Sequence, residues 1–260
     1  MRSKREALLR RLAAAALSAA VLVPAAALAG PPFRTDDPEP VEYQHWEFYS
    51  FTAGTHVEGD TPGVAPAAEF NYGLFPNAMV HIVVPTTAFD HPTGSPSTWG
   101  LGDVELGFKY RLLEQDKKSW KPSIGIFPLL ELPTGDQSRT LGAGHTRIFL
   151  PVWAQKDFGD WTTYGGGGYW INQNDTYGSR NYWFVGWLLQ RKITDKLTLG
   201  GEIYHQTADL VGGFDTTGFN LGGQLDLDEH NHLLFSAGRG FQNAAQTNLF
   251  SWYLGWQVTY

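Results

Sequence analysis

About ten residues at a time, the chain alternates apolar and polar side chains, and this pattern recurs along most of its length. GDVELGFKYRL, Gly102 to Leu112, sets Asp103, Glu105, Lys109 and Arg111 on one face of an extended strand. Val104, Leu106, Phe108, Tyr110 and Leu112 take the other, because successive side chains of a strand point to opposite faces. A half-buried strand of a soluble sandwich alternates in the same way, so the ends of the chain have to decide between the two.

The chain opens MRSKREALLRRLAAAALSAAVLVPAAALAG, a basic stretch followed by an Ala/Leu/Val run and the small-residue triplet Ala27-Leu28-Ala29. Residues 1–29 read as a cleaved export signal. The run is alanine-rich and short for an anchor, which needs ~20 strongly apolar residues. No cysteine follows, so a lipoprotein, a disulfide framework and a thiol nucleophile are excluded. Without residues 1–29 the chain keeps 14 basic and 25 acidic residues, a formal charge of −11 that makes nucleic acid a poor partner. The final stretch, YLGWQVTY, places Phe250, Trp252, Leu254, Trp256, Val258 and Tyr260 on one face and stops on an aromatic. Gly255, Val258 and Tyr260 resemble the C-terminal assembly signal of outer-membrane β-barrels, which implies the barrel assembly machinery as a partner.

Twelve strand runs can be placed, at 44–54, 64–74, 79–85, 100–112, 122–131, 147–155, 161–172, 182–191, 197–207, 216–227, 232–240 and 249–260. Mostly short connections (FPNA, LEQDKKSWK, KDFGD, ITDK, DEHN) alternate with mostly longer ones rich in Gly, Asn, Thr and Pro, such as TTAFDHPTGSPSTW and LPTGDQSRTLGAGHT. An even strand count with short turns at one end and long loops at the other predicts an all-β, transmembrane, antiparallel up-and-down barrel in the outer membrane of a Gram-negative bacterium. The division is then signal peptide 1–29, periplasmic N-terminal segment 30–43 and barrel 44–260. Trp46, Trp99, Trp120, Trp161, Trp170, Trp183 and Trp252 lie near strand ends and suggest two interfacial girdles against outer-membrane lipid.

PPFRTDDPEPVEYQHWEFY, YGLFPNAMVHIVVP, GLGDVELGFKYRLL and LPTGD resemble the outer-membrane proteins named after the meta-cleavage pathway of phenol degradation. The resemblance covers most of the chain after residue 29. It implies a transporter or channel for small solutes, aromatic ones among them, with no catalytic residues to carry over.

Strand parity turns seven acids (Glu47, Glu69, Asp103, Glu105, Glu131, Glu202, Asp226) and three bases (Lys109, Arg111, Arg147) inward, with Tyr49, Phe51 and Tyr204. Twelve strands leave a narrow lumen, in which such charges either form a plugging network or line a solute path. Strand direction sets Asp103 and Glu105 toward the outside and Lys109 and Arg111 toward the periplasm, an acidic entrance. TTYGGGGYW reads as a curved strand covered by Tyr164 and Tyr169, or as a smooth wall beside a ligand or inserted loop. DLDEHNH reads as a hairpin turn rather than a metal site. No serine elbow or His-x-x-x-His is present, and His205 with Thr207 is the nearest approach to a nucleophile pair. A non-enzymatic channel without a cofactor is expected, with a barrel enzyme acting on lipid or peptide, or a plugged structural or adhesive barrel, as alternatives.

Overall fold

The computed structural model describes residues 31–172 and 178–260, so the expected signal peptide lies outside the described residues. Sixty-one per cent is strand, arranged as a closed antiparallel barrel of twelve strands. Eleven elements run as single strands: β1 (Trp46–His56), β2 (Gly63–Phe75), β3 (Ala78–Val84), β6 (Val104–Leu113), β9 (Arg147–Phe158), β10 (Trp161–Asn172), β11 (Tyr182–Lys192), β12 (Leu197–Gln206), β13 (Thr216–Asp226), β14 (Asn231–Gln242) and β15 (Phe250–Thr259). The twelfth is built from β7 (Ser123–Ile126) and β8 (Leu129–Leu132) in line between β6 and β9. The sequence reads one unbroken strand there. Pro128 lacks the amide hydrogen that a ladder requires, and the pattern is interrupted at Phe127-Pro128 while the register continues across it. In the predicted long loop at 86–99, a small hairpin, β4 (Ala88–Asp90) with β5 (Thr98–Gly100), extends the top of β2.

Each wall strand pairs with its sequence neighbour, and β1 pairs with β15 to close the ring. The seam is finished by reciprocal backbone bonds between Trp46 and Tyr260, at 2.7 and 2.9 Å. Closure leaves no sheet edge, the condition for crossing a layer with no water to satisfy backbone groups. Both ends of the ring lie at the rim that carries the short turns 76–77, 159–160, 193–196 and 227–230.

Alternation decides which face of each strand is wet. Along β6 Leu106, Phe108, Tyr110 and Leu112 are exposed on the outer surface, whereas Lys109 is only 2% exposed and faces the lumen. Leu150, Val152, Val185, Trp187, Leu199, Ile203, Leu221, Leu254 and Trp256 continue the exposed apolar band around the barrel. Trp46 and Trp161 stand exposed at the short-turn rim, and Trp99 and Trp183 at the long-loop rim. Trp170 departs from the expected girdle: it turns inward and stacks on Phe149, with ring centroids 4.8 Å apart. Its inward direction follows from the parity of β10, in which Tyr164 is buried in the lumen. Val41, Met79, Phe127, Phe149, Trp153, Phe184 and Tyr204 make the buried core, which lies inside the barrel.

Candidate functional site

Among the described residues, Lys109 and Arg111 find no wall carboxylate within ion-pair distance. Their partners come from the segment that precedes the barrel. Lys109 Nζ lies 2.9 Å from Asp36 Oδ1 and 3.6 Å from Asp37 Oδ1, and Arg111 binds Glu39. Residues 30–43, expected from sequence as a periplasmic segment, thus behave differently where they are described: 31–41 thread into the lumen as a plug. The physical reason is that buried Lys109 and half-buried Arg111 would otherwise sit in the barrel interior without counter-charge.

The rest of the plug is held by equally specific contacts. The Glu202 carboxylate accepts from the backbone N–H of Arg34 (2.9 Å), the backbone N–H of Thr35 (2.7 Å) and the Thr35 hydroxyl (2.6 Å), with Asn220 Nδ2 donating at 2.6 Å. Charge-assisted bonds of this kind are roughly twice as strong as neutral ones. Ser236 Oγ donates to the Pro32 carbonyl at 2.5 Å, and Val41 N–H meets Met79 Sδ at 3.3 Å. Thr35, Asp37 and Pro38 are fully buried.

Glycines in the wall make room for this insertion. A Cβ at Gly186 would collide with Thr35 Oγ1, and one at Gly125 would come within 3.0 Å of Pro38. Gly186 lies opposite Gly166 of the TTYGGGGYW stretch, so the bare patch of wall backs the inserted segment.

The other inward charges pair within the wall. Glu131 and Arg147 form a two-pronged bond at 2.7 and 2.6 Å, and His81 stands between Glu105 (3.1 Å) and Glu69 (3.5 Å) with Asn71 bridging. Tyr49 donates to Glu47, and Asp226 meets His232, both at 2.7 Å. Tyr204 accepts from Asn248 Nδ2 at 2.7 Å. Asp103 accepts from the backbone N–H of Gly135 and Ala143, which pins loop 133–146 beside an outer vestibule. Gly255 faces inward beneath the Tyr253 ring, while Val258 and Tyr260 lie on the outer face of the closing strand. His205 bonds Thr217 at 2.8 Å and not Thr207, whose hydroxyl accepts from Trp183 N–H. In DLDEHNH the Asp228 carboxylate accepts from the Asn231 side-chain amide and from the backbone N–H of His230 and Asn231, a turn cap that depresses its pKa.

Plug and wall together divide the lumen into chambers. An outer vestibule of about 640 Å³ lies among Phe89, Asp103, Leu141, Arg147, Ser251 and Tyr253. Below it is an aromatic chamber of about 260 Å³, walled by Phe127, Phe149, Trp153, Trp170, Tyr182 and Phe184. Beside that lies an acidic chamber of about 240 Å³, bordered by Asp36, Glu39, Glu47, Glu69 and Glu105 with His81 and Lys109. A fourth, also about 240 Å³, runs along the other side of the plug to the short-turn rim at Asp157, Asp160, Lys192 and Asp195. The sequence reading found the wall residues by parity but missed the plug, which has no periodicity. The signal that could have found it is charge: two inward bases, Lys109 and Arg111, and an acidic TDDPEPVE run just ahead of the first strand.

A family model described as "Putative MetA-pathway of phenol degradation" matches residues 48–257. Among solved structures, the COG4313 outer membrane channel from Pseudomonas putida F1 superposes with a TM-score of 0.71 at 16% identity, over 86% of this chain and 98% of that one. The NanC porin superposes with a TM-score of 0.55 at 12% identity, over 82% and 98%. No curated protein matches the chain.

Proposed function

The chain belongs to this phenol-degradation family, and from that membership and the form of its lumen we propose that it is an outer-membrane channel for the diffusive passage of small solutes. The observation that carries the reading is the set of chambers that runs from the long-loop rim past the plug to the short-turn rim. A fully packed structural barrel would not need such spaces. The long loops then face outward, the short turns face the periplasm, and Gly255, Val258 and Tyr260 serve the assembly machinery. Aromatic walls in one chamber favour flat, weakly polar solutes there, since rings stack on rings at centroid distances of about 4.5–7 Å.

The acidic chamber favours cations. Six carboxylates border it, Glu42 included, against Arg34, Lys109 and the titratable His81. Rings of acidic side chains in a pore select cations. The test is single-channel conductance and reversal potential in planar bilayers under a salt gradient. The purified barrel should conduct with cation preference, and Glu105→Gln should reduce that preference. Absence of conductance from folded protein, with or without the plug, would overturn the channel reading.

A further inference from the structure

Among residues 31–41 one side chain stands out. Thr35 and Asp37 are fully buried and their neighbours are buried or half-buried, but Arg34 is exposed, although it lies inside the barrel. Its guanidinium reaches into open lumen, held by the face of Tyr204 at 4.5 Å, the face of Phe184 at 5.6 Å and a 3.0 Å bond from Nη2 to Gln206 Oε1. Among the described residues these contacts fix the direction of a charge without neutralising it. The neighbouring carboxylates are engaged elsewhere: Asp36 bonds Lys109, and Glu202 accepts from the backbone N–H groups of Arg34 and Thr35 and from the Thr35 hydroxyl.

Arg34 borders the outer vestibule, the aromatic chamber and the acidic chamber. Phe33, next to it, borders the vestibule, the acidic chamber and the chamber on the far side of the plug. Each chamber below the vestibule therefore shares at least one of these two side chains with it as lining. Resting on the channel reading above, we propose that Phe33 and Arg34 form the selectivity constriction, with Arg34 the determinant of charge. A fixed cation between the vestibule and a carboxylate-lined chamber opposes cation entry that the carboxylates below would favour. It attracts anionic and electron-rich aromatic solutes to the mouth of the aromatic chamber, where a ring can replace Tyr204 or Phe184 as the cation's partner. The plug thus supplies the residue that sets what passes, not only an obstruction.

The test uses the full exported chain, refolded and checked for the gel shift between boiled and unboiled samples, in planar bilayers under a potassium chloride gradient. Arg34→Ala should raise single-channel conductance by at least about twofold and move the reversal potential toward stronger cation preference. Arg34→Lys keeps the charge but loses the planar stack on Tyr204, so its reversal potential should stay close to that of the unaltered protein. Phe33→Ala should raise conductance without changing the sign or size of the preference. If Arg34→Ala leaves both quantities unchanged while Glu105→Gln shifts the reversal potential, the solute path exists but does not pass Arg34, and the proposal is wrong. If neither the unaltered chain nor a chain lacking 31–41 conducts, the channel reading fails and the constriction with it.

Discussion

Wall and plug are specified by different physics. The wall depends on a two-residue period: moving β6 by one residue would put Leu106, Phe108 and Tyr110 in the lumen and Lys109 outside, so almost every side chain votes for one register. The plug has no period. It is placed by a few point contacts, Asp36 and Asp37 on Lys109, Glu39 on Arg111, and backbone N–H groups on Glu202, together with the absence of a side chain at Gly186. A distributed code tolerates small changes of residue type and punishes a change of polarity on one face. A point code does the reverse, surviving most substitutions and failing at a handful.

That contrast can be broken first in the wall. Leu106 is exposed on the outer band, and Leu106→Arg should cost about 2–4 kcal/mol in folding, the range for a cation near the middle of a barrel's lipid face. Urea unfolding in lipid vesicles reads it. Glu105→Gln, one residue away and inward, should leave folding much less affected, although the His81 pair that it weakens will take part of the contrast away. Equal losses for the two variants would mean that the faces are wrongly assigned.

The plug side of the contrast is sharper but smaller. Gly186→Val adds a β-branched side chain to a strand, where it is ordinarily welcome, yet it sets atoms where Thr35 Oγ1 now lies. The wall should fold as before, with an unchanged urea midpoint, while the plug loses its seat and becomes open to protease digestion from the short-turn rim. A plug still protected in this variant would show that Thr35 is not an anchor.

Legibility in the sequence followed the same division. The twelve strands, their alternation and the rim that carries the short turns could be read from residues 44–260, because alternation and turn residues are local properties. So could the inward direction of Glu69, Glu105, Lys109, Glu202 and Tyr204. Their partners could not be read: Lys109 and Asp36 are 73 residues apart in the chain, and nothing local joins them. Trp170 shows the other limit. Its position near a strand end suggests an interface, but parity within β10 outranks position and turns it into the lumen. Asp103 is inward as parity requires, yet its carboxylate is committed to loop 133–146, because two backbone N–H groups there offer it bonds.

The account rests on a wall that closes by itself around a plug held by separable contacts. Deleting residues 31–41, with residues 1–30 retained, tests this most directly, read by single-channel conductance and the boiled-versus-unboiled gel shift. The prediction is a barrel that still folds and shows the shift, with conductance raised several-fold toward that of an open twelve-stranded lumen. A chain that no longer folds would contradict the independence of the wall, and a folded barrel with unchanged conductance would contradict the role of residues 31–41 as its plug.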